Sequence, residues 1–96
     1  MTLNLNYEGF EDSLVKRVDT WMGGVQYQFR FENDFGASVV KSQYSYGGKS
    51  DLWELAVVVW DEDDYDLTYD TDITCDVEGY LTDEEVRDLL RRIKEL

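Results

Sequence analysis

The chain has 96 residues, a length that suits one compact domain. Its formal net charge is −13, because the chain has 22 acidic and nine basic residues. Such a charge repels nucleic acids and anionic membranes, which bind clustered Lys and Arg, so we expect direct binding to neither. A basic protein is the partner that this charge favours. Since 15% of the residues are aromatic, we expect a folded domain and not a disordered chain.

The amino-acid composition limits the reactions that the protein can catalyse and the cellular compartments that suit it. Cys75 is the only cysteine, so no internal disulfide can form, which suits the cytoplasm. Residues 1–6 lack the basic and apolar regions of a signal peptide, and the longest apolar run, residues 55–60, is far shorter than the about 20 residues that span a bilayer. The chain has no histidine, the commonest general base and a usual zinc ligand. We therefore expect a non-enzymatic cytoplasmic protein without a metal or cofactor.

In chain order, the first twelve residues are compatible with a strand, a short helical turn or a loose arm. A strand is expected at about residues 14–21, and Gly23-Gly24 marks the turn after it. A second, half-buried strand is predicted by apolar residues that alternate with polar ones, namely Val25, Tyr27, Phe29 and Phe31. Asn33-Asp34 with Gly36 is a further turn signal, and a third strand is expected at about residues 37–42.

Residues 53–60 are apolar on both faces except for Glu54, which predicts a central strand that is covered on both sides. A polar turn at residues 61–64 follows. Tyr65, Leu67 and Tyr69 then alternate with acids and threonine, which predicts a fifth strand with these three side chains in the core. Residues 71–81 are expected to link this strand to the next element.

The C-terminal residues predict an amphipathic helix at about 83–95. Thr82 and Glu85 have the spacing of a capping box, and Leu81 and Val86 that of a hydrophobic staple. An apolar stripe recurs at helical spacing, formed by Val86, Leu89, Leu90, Ile93 and Leu96. The predicted fold is therefore α+β: a single domain, residues 1–96, in which one C-terminal helix packs on an antiparallel meander of four to five strands.

The acids are concentrated in one part of the chain. No lysine or arginine lies between Lys49 and Arg87, an interval that holds most of the 22 acids. Along the predicted fifth strand the acids occupy mostly even positions, which period-two geometry places on one side about 6.8 Å apart. We call this set the acidic row: Glu62, Asp64, Asp66, Asp70 and Asp72. It is the candidate partner-binding surface.

Two other interpretations of the acidic row stay open. The first is a solvated face that opposes edge-to-edge aggregation. The second is a calcium site, which needs six to eight converging oxygens, whereas a linear row disperses them. The EF-hand spacing also fails, because residues 61–66 carry an aspartate where that loop needs glycine.

A second candidate is a recognition loop formed by Tyr44, Tyr46, Gly47 and Gly48. Packing of the two tyrosines is the alternative, and the glycines do not form a phosphate-binding loop because no P-loop pattern is present. Cys75 has no imidazole to activate it, and its acidic neighbours raise the pKa expected for a thiol. We therefore expect Cys75 to be an inert residue.

Several segments resemble small, uncharacterised proteins of bacteriophages and prophages. They include residues 35–40, 44–48 and 52–57, which read FGASVV, YSYGG and LWELAV, and the pair YSYGG and LWELA is the most specific part. The resemblance continues through residues 69–74, 76–77 and 79–82, and it covers about Trp21 to Leu96. Cys75 stands where these proteins often have aspartate. The resemblance implies a phage-type accessory protein in the host cytoplasm, without an established active site.

Three hypotheses follow for the function. The leading one is an accessory protein that uses its acidic row to bind a basic host or phage protein, including a host nucleic-acid-binding or defence enzyme that it would inhibit. The second is a structural or homo-oligomeric module with apolar contacts, because one small core is not expected to accommodate all of the following aromatic residues: Trp21, Trp53, Trp60, Tyr7 and Phe10. The third is a small-ligand or metal-binding domain that uses the tyrosine–glycine loop or the acidic row.

Overall fold

A computed structural model describes residues 4–19, 23–41, 52–67 and 78–96 of the chain. The described residues form six strands and one helix: β1 (Leu14–Asp19), β2 (Val25–Arg30), β3 (Phe35–Lys41), β4 (Trp53–Asp61), β5 (Asp64–Leu67), β6 (Glu78–Leu81) and α1 (Asp83–Lys94). The sheet is antiparallel, with the order β1-β2-β3-β4-β5, and β6 also pairs with β4. The predicted α+β fold, a meander with a C-terminal helix, is confirmed.

The strand β6 was not predicted, since residues 71–81 were expected to be a linker. It pairs with the beginning of β4, whereas β5 pairs with the end of β4. Because β3 occupies the other side of β4, β5 and β6 lie one after the other along the same side. Four residues are too few for a period-two pattern, so pairing with β4 defines this strand and local sequence does not.

The main core lies between α1 and one face of the sheet. Alternation brings every second side chain of the strands to that face, as predicted for β2. The buried residues that meet there are Val25, Tyr27, Phe29, Ala37, Val39, Trp53, Leu55, Val57, Val86, Leu90 and Ile93. Leu96, the last residue of the predicted apolar stripe, is instead exposed beyond the end of α1.

Both ends of α1 are capped as their residue types require. The Thr82 hydroxyl accepts a hydrogen bond from the Glu85 amide at 3.2 Å, and the Glu85 carboxylate accepts one from the Thr82 amide at 3.1 Å, which confirms the capping box. At the other end, the Asn33 side-chain amide donates to the carbonyl oxygens of Ile93 and Leu96. The β2–β3 turn therefore closes the C-terminal end of the helix.

Of the three possibilities left open for the first twelve residues, the described part shows a short helical turn and not a loose arm. Leu5 and Phe10 are buried in the main core, and a short 3-10 turn, Glu11–Ser13, leads into β1. The Leu5 amide donates to the Tyr27 hydroxyl at 3.2 Å, and the carbonyl oxygen of Asn6 accepts a hydrogen bond from Arg87 at 3.1 Å. Residues 4–10, hereafter the N-terminal segment, are thus part of the folded domain.

The opposite face of the sheet is organised around Trp60. Its indole nitrogen donates to the carbonyl oxygen of Phe29 at 2.8 Å, reaching over Gly36 of β3. Tyr65 packs on the Trp60 ring, with 4.9 Å between ring centroids. Tyr65 therefore lies on the face opposite α1, although the sequence placed it in the core. With Val58 also buried on this face, the prediction that β4 is covered on both sides is confirmed.

Gly36 lies inside β3 and does not belong to the turn that it was expected to signal. A Cβ atom at this position would be 1.8 Å from the Phe29 carbonyl oxygen and 2.6 Å from the Trp60 indole nitrogen. The turn itself comprises residues 31–34, where the Asp34 amide donates to the Phe31 carbonyl at 3.1 Å. A glycine is needed in the strand because the backbone of β2 and the indole approach it so closely.

Candidate functional site: an acidic hairpin at the sheet edge

Three members of the acidic row lie in the described part of the chain. Glu62 is in the turn between β4 and β5, while Asp64 and Asp66 lie in β5, and all three are exposed. Asp70 and Asp72 lie outside the described residues. The predicted alternation holds for Asp64 and Asp66, which pair with Asp61 and Val59 of β4. It does not include Glu62, which is a turn residue with a left-handed φ of 56°.

The exposed acids are concentrated on a tight hairpin. Asp61 and Asp64 pair across the two strands, which leaves a two-residue turn between them. We call the exposed acids of this element the acidic hairpin: Asp61, Glu62, Asp63, Asp64 and Asp66. Among the strands that the structure describes, β5 is the last on the sheet path, so the acidic hairpin lies at an edge of the described sheet. The sequence predicted a row along one side of a strand, and the structure places the described part of it at a sheet edge.

Arg30 fixes the acidic hairpin to the rest of the sheet. Its guanidinium donates to the carbonyl oxygen of Glu62 at 2.6 Å and forms an ion pair with Asp34 at 3.0 Å. It also lies 5.9 Å from the centroid of the Trp60 ring. The Trp60 amide donates to the Asp34 carbonyl at 2.7 Å, so the turn before β3 and the acidic hairpin are joined directly. These contacts preorganise the hairpin backbone.

The side chains of the acidic hairpin keep their charge available to a partner. Within residues 4–19, 23–41, 52–67 and 78–96, no ion pair engages a carboxylate of the hairpin. Arg30 donates a hydrogen bond to a backbone oxygen of the hairpin, but its ion pair is with Asp34, which belongs to the β2–β3 turn. Exposed carboxylates that lie within a Debye length, about 8 Å at physiological ionic strength, reinforce each other's field. The acidic hairpin is therefore a concentrated source of negative potential.

The opposite edge strand, β1, has a small net positive charge, because Lys16 and Arg17 outnumber Asp19, which forms an ion pair with Arg17 at 2.8 Å. The edge strand β1 exposes Lys16 and Arg17, and Arg17 donates a hydrogen bond to the Tyr27 hydroxyl at 3.1 Å. That hydrogen bond is the main cause that raises the pKa of Arg17, and the nearby Asp19 raises it further. Charge is thus distributed unequally across the sheet, and the negative charge is concentrated on the β5 side.

We expect replacement of Arg30 by methionine to loosen the acidic hairpin. The variant loses the hydrogen bond to Glu62 and the ion pair with Asp34, so the free energy of unfolding should fall by about 1 kcal/mol. Amide hydrogen exchange in β5 should become faster, because opening of the hairpin costs less. Lys16→Met removes the same charge from an exposed residue and should change neither quantity. Equal exchange rates in wild type and Arg30→Met would contradict the anchoring role.

Two further sequence-based candidates belong to parts of the chain that the structure does not describe. The predicted recognition loop (Tyr44, Tyr46, Gly47 and Gly48) and Cys75 lie outside the described residues. In the described part of the chain, no three residues of the types His, Cys, Asp or Glu are grouped so that they could hold a metal ion. The helix that the structure describes is too short and too polar to cross a membrane.

No protein-family model matches the chain, and comparisons with curated proteins and with solved structures give no match. The functional interpretation therefore depends on the residues of the acidic hairpin themselves. Sequence reasoning found Glu62, Asp64 and Asp66 through their spacing. It missed Arg30, because this residue acts on a carbonyl group 32 positions away and no local pattern records such a contact.

Proposed function

We propose that this chain is a non-enzymatic accessory protein that binds a basic protein partner through its acidic hairpin. The observation that carries the proposal is a set of exposed carboxylates, without ion pairs in the described part of the chain, on a hairpin that Arg30 and Trp60 hold in place. Binding to a preorganised backbone loses little conformational entropy. Local negative charge also accelerates the encounter with a positively charged site.

The partner that we propose is a host nucleic-acid-binding or defence enzyme in the bacterial cytoplasm, which the protein inhibits. Such enzymes bind the phosphate backbone with clustered Lys and Arg. Asp64 and Asp66 continue the negative charge of the hairpin along β5 and imitate, over a short distance, the line of charge along a nucleic-acid strand. The resemblance to small bacteriophage proteins supports this class of partner.

The described residues remove the reason for the alternative hypothesis of an oligomeric module with apolar contacts. It depended on aromatic residues that one small core was not expected to accommodate. Trp53, Trp60 and Phe10 are all buried within the single chain, and the Tyr7 ring packs against Tyr27 with 5.7 Å between centroids. Trp21 lies outside the described residues. Binding through charge is therefore the proposal that the described surface favours.

The test is capture from a bacterial lysate on immobilised protein at low salt. Wild type should retain a basic, nucleic-acid-handling protein that elutes at about 0.5 M salt, where the Debye length falls to about 4 Å. The triple variant Glu62→Gln, Asp64→Asn, Asp66→Asn should retain much less of the same protein. The matched control neutralises three exposed acids elsewhere (Glu8→Gln, Asp12→Asn, Glu95→Gln) and should behave as wild type.

Two results would overturn the proposal. One is that wild type retains no specific protein at low salt. The other is that the triple variant retains the same protein as strongly as wild type and the matched control do, since the acidic hairpin would then contribute nothing to binding.

A further inference from the structure

Tyr80 of β6 combines two features that are unusual for a tyrosine. Its side chain is 63% exposed, the highest value among the exposed large hydrophobic residues in the part of the chain that the structure describes. Its backbone is left-handed, with φ of 60°, a conformation that favours glycine or asparagine and is costly for a bulky side chain. A residue that is both strained and exposed needs a reason for its identity.

The fold explains the backbone of Tyr80 but not its side chain. Trp53 pairs with Leu81 and Leu55 pairs with Glu78, so two residues of β6, Gly79 and Tyr80, face the single residue between Trp53 and Leu55. This β-bulge directs Leu81 into the core immediately before the helix cap. Glycine or asparagine at position 80 would serve the bulge at a lower cost.

Contacts do not explain the side chain either. In the part of the chain that the structure describes, the Tyr80 side chain makes no hydrogen bond and no ring contact. The other described tyrosines differ in this respect, because Tyr7, Tyr27 and Tyr65 each pack against another aromatic ring. The Tyr80 phenol ring is therefore available to another molecule.

We infer that Tyr80 is an aromatic anchor for an arginine side chain of the protein partner, an inference that rests on the proposed function. Exposed Glu84 and Glu85 follow Tyr80 in the first turn of α1, and no lysine or arginine occurs in the described residues from 52 to 86. The negative charge of this part of the chain favours a positively charged group of the partner. Arginine fits better than lysine, because a planar guanidinium stacks on the face of a phenol ring, whereas the lysine ammonium is a compact, strongly hydrated point charge.

Tyr80 and the acidic hairpin lie along the same side of β4. Tyr80 faces β4 near residue 54, and Tyr65 of β5 pairs with Trp60 along the same side of β4. Six residues of β4 separate the two points, which corresponds to about 20 Å. An extended peptide of about seven residues covers that distance. Tyr80 would then supply selectivity at one end and the acidic hairpin would supply most of the electrostatic attraction.

The experiment measures binding of two peptides, ten arginines and ten lysines, by isothermal titration at low ionic strength. Wild type should bind both, with a preference for the arginine peptide. Tyr80→Asn should bind the arginine peptide about two- to fivefold more weakly, the loss that one exposed cation–π contact predicts, and should bind the lysine peptide almost as wild type does. Tyr80→Phe should keep the preference, because stacking needs the ring and not the hydroxyl.

The controls separate this inference from the proposed function. Tyr80→Asn should unfold in urea at the same midpoint as wild type or a higher one, since asparagine tolerates the left-handed backbone. Tyr80→Gly is a second variant, because glycine also tolerates this backbone conformation. Val15→Asn changes an exposed residue on the opposite edge and should bind as wild type.

If Tyr80→Asn and Tyr80→Gly bind both peptides as wild type does, or lose affinity for both equally, the inference fails while the proposed function stands. If the triple variant of the acidic hairpin also binds both peptides as wild type does, the proposed function fails.

Discussion

Replacement of Gly36 by alanine should destabilise the domain by about 3 kcal/mol or more, the largest effect that we expect from the addition of one methyl group. The new Cβ would be 1.8 Å from the Phe29 carbonyl oxygen, which belongs to backbone and cannot rotate away. Either β2 and β3 separate locally or the Trp60 indole is displaced and loses its hydrogen bond to that oxygen. Urea unfolding, followed by tryptophan fluorescence, measures the result.

Gly23→Ala is the control that separates crowding from backbone conformation. Gly23 has a left-handed φ of 78°, and a Cβ atom there meets nothing within 4 Å. Its replacement should therefore cost about 1 kcal/mol, from conformation alone. Gly36 has the reverse properties, since its φ is not left-handed and its surroundings are closed. Equal losses of stability in the two variants would refute the account of Gly36.

The contrast between local and long-range determinants explains which elements the sequence predicts. The start of α1 depends on residues three positions apart, Thr82 and Glu85, and the alternation of β2 depends on residues two positions apart. Both were predicted with nearly their observed bounds. The strand β6 depends on pairing between Leu55 and Glu78, and the N-terminal segment depends on a hydrogen bond from the Asn6 amide to Asp83. No short window of sequence contains such partners.

The same contrast applies to the acidic hairpin. Alternation along β5 correctly placed Asp64 and Asp66 on one side, because side-chain direction in a strand is a local property. The position of β5 at the sheet edge depends on the order of all the strands, which the sequence does not display. The face on which Tyr65 lies depends on the register between β4 and β5. A row of acids could thus be predicted from the sequence. Its place at a sheet edge and the contact that Arg30 makes with its backbone could not.

Phe10→Ala provides the sharpest test of whether the N-terminal segment belongs to the core. The Phe10 ring is buried and packs edge-on against Phe31 with 6.2 Å between centroids. Its removal should reduce the free energy of unfolding by about 3 kcal/mol, the usual range for a buried phenylalanine being roughly 3–5 kcal/mol. A loose arm would instead give no change. Because a domain of this size has a total stability of about 5–15 kcal/mol, the loss should be plain in a urea titration.

Val15→Ala is the matched control for Phe10→Ala, because Val15 also lies near the N-terminus but is 52% exposed on the edge strand β1. It should change the free energy of unfolding by less than about 0.5 kcal/mol. The N-terminal segment covers Tyr27 and Phe29 with the Tyr7 ring, so we also expect Phe10→Ala to accelerate amide exchange in β2. If Phe10→Ala and Val15→Ala have the same stability, the segment contributes nothing to the core. A loss confined to Phe10→Ala shows that the N-terminal segment is part of the core that α1 and the sheet enclose.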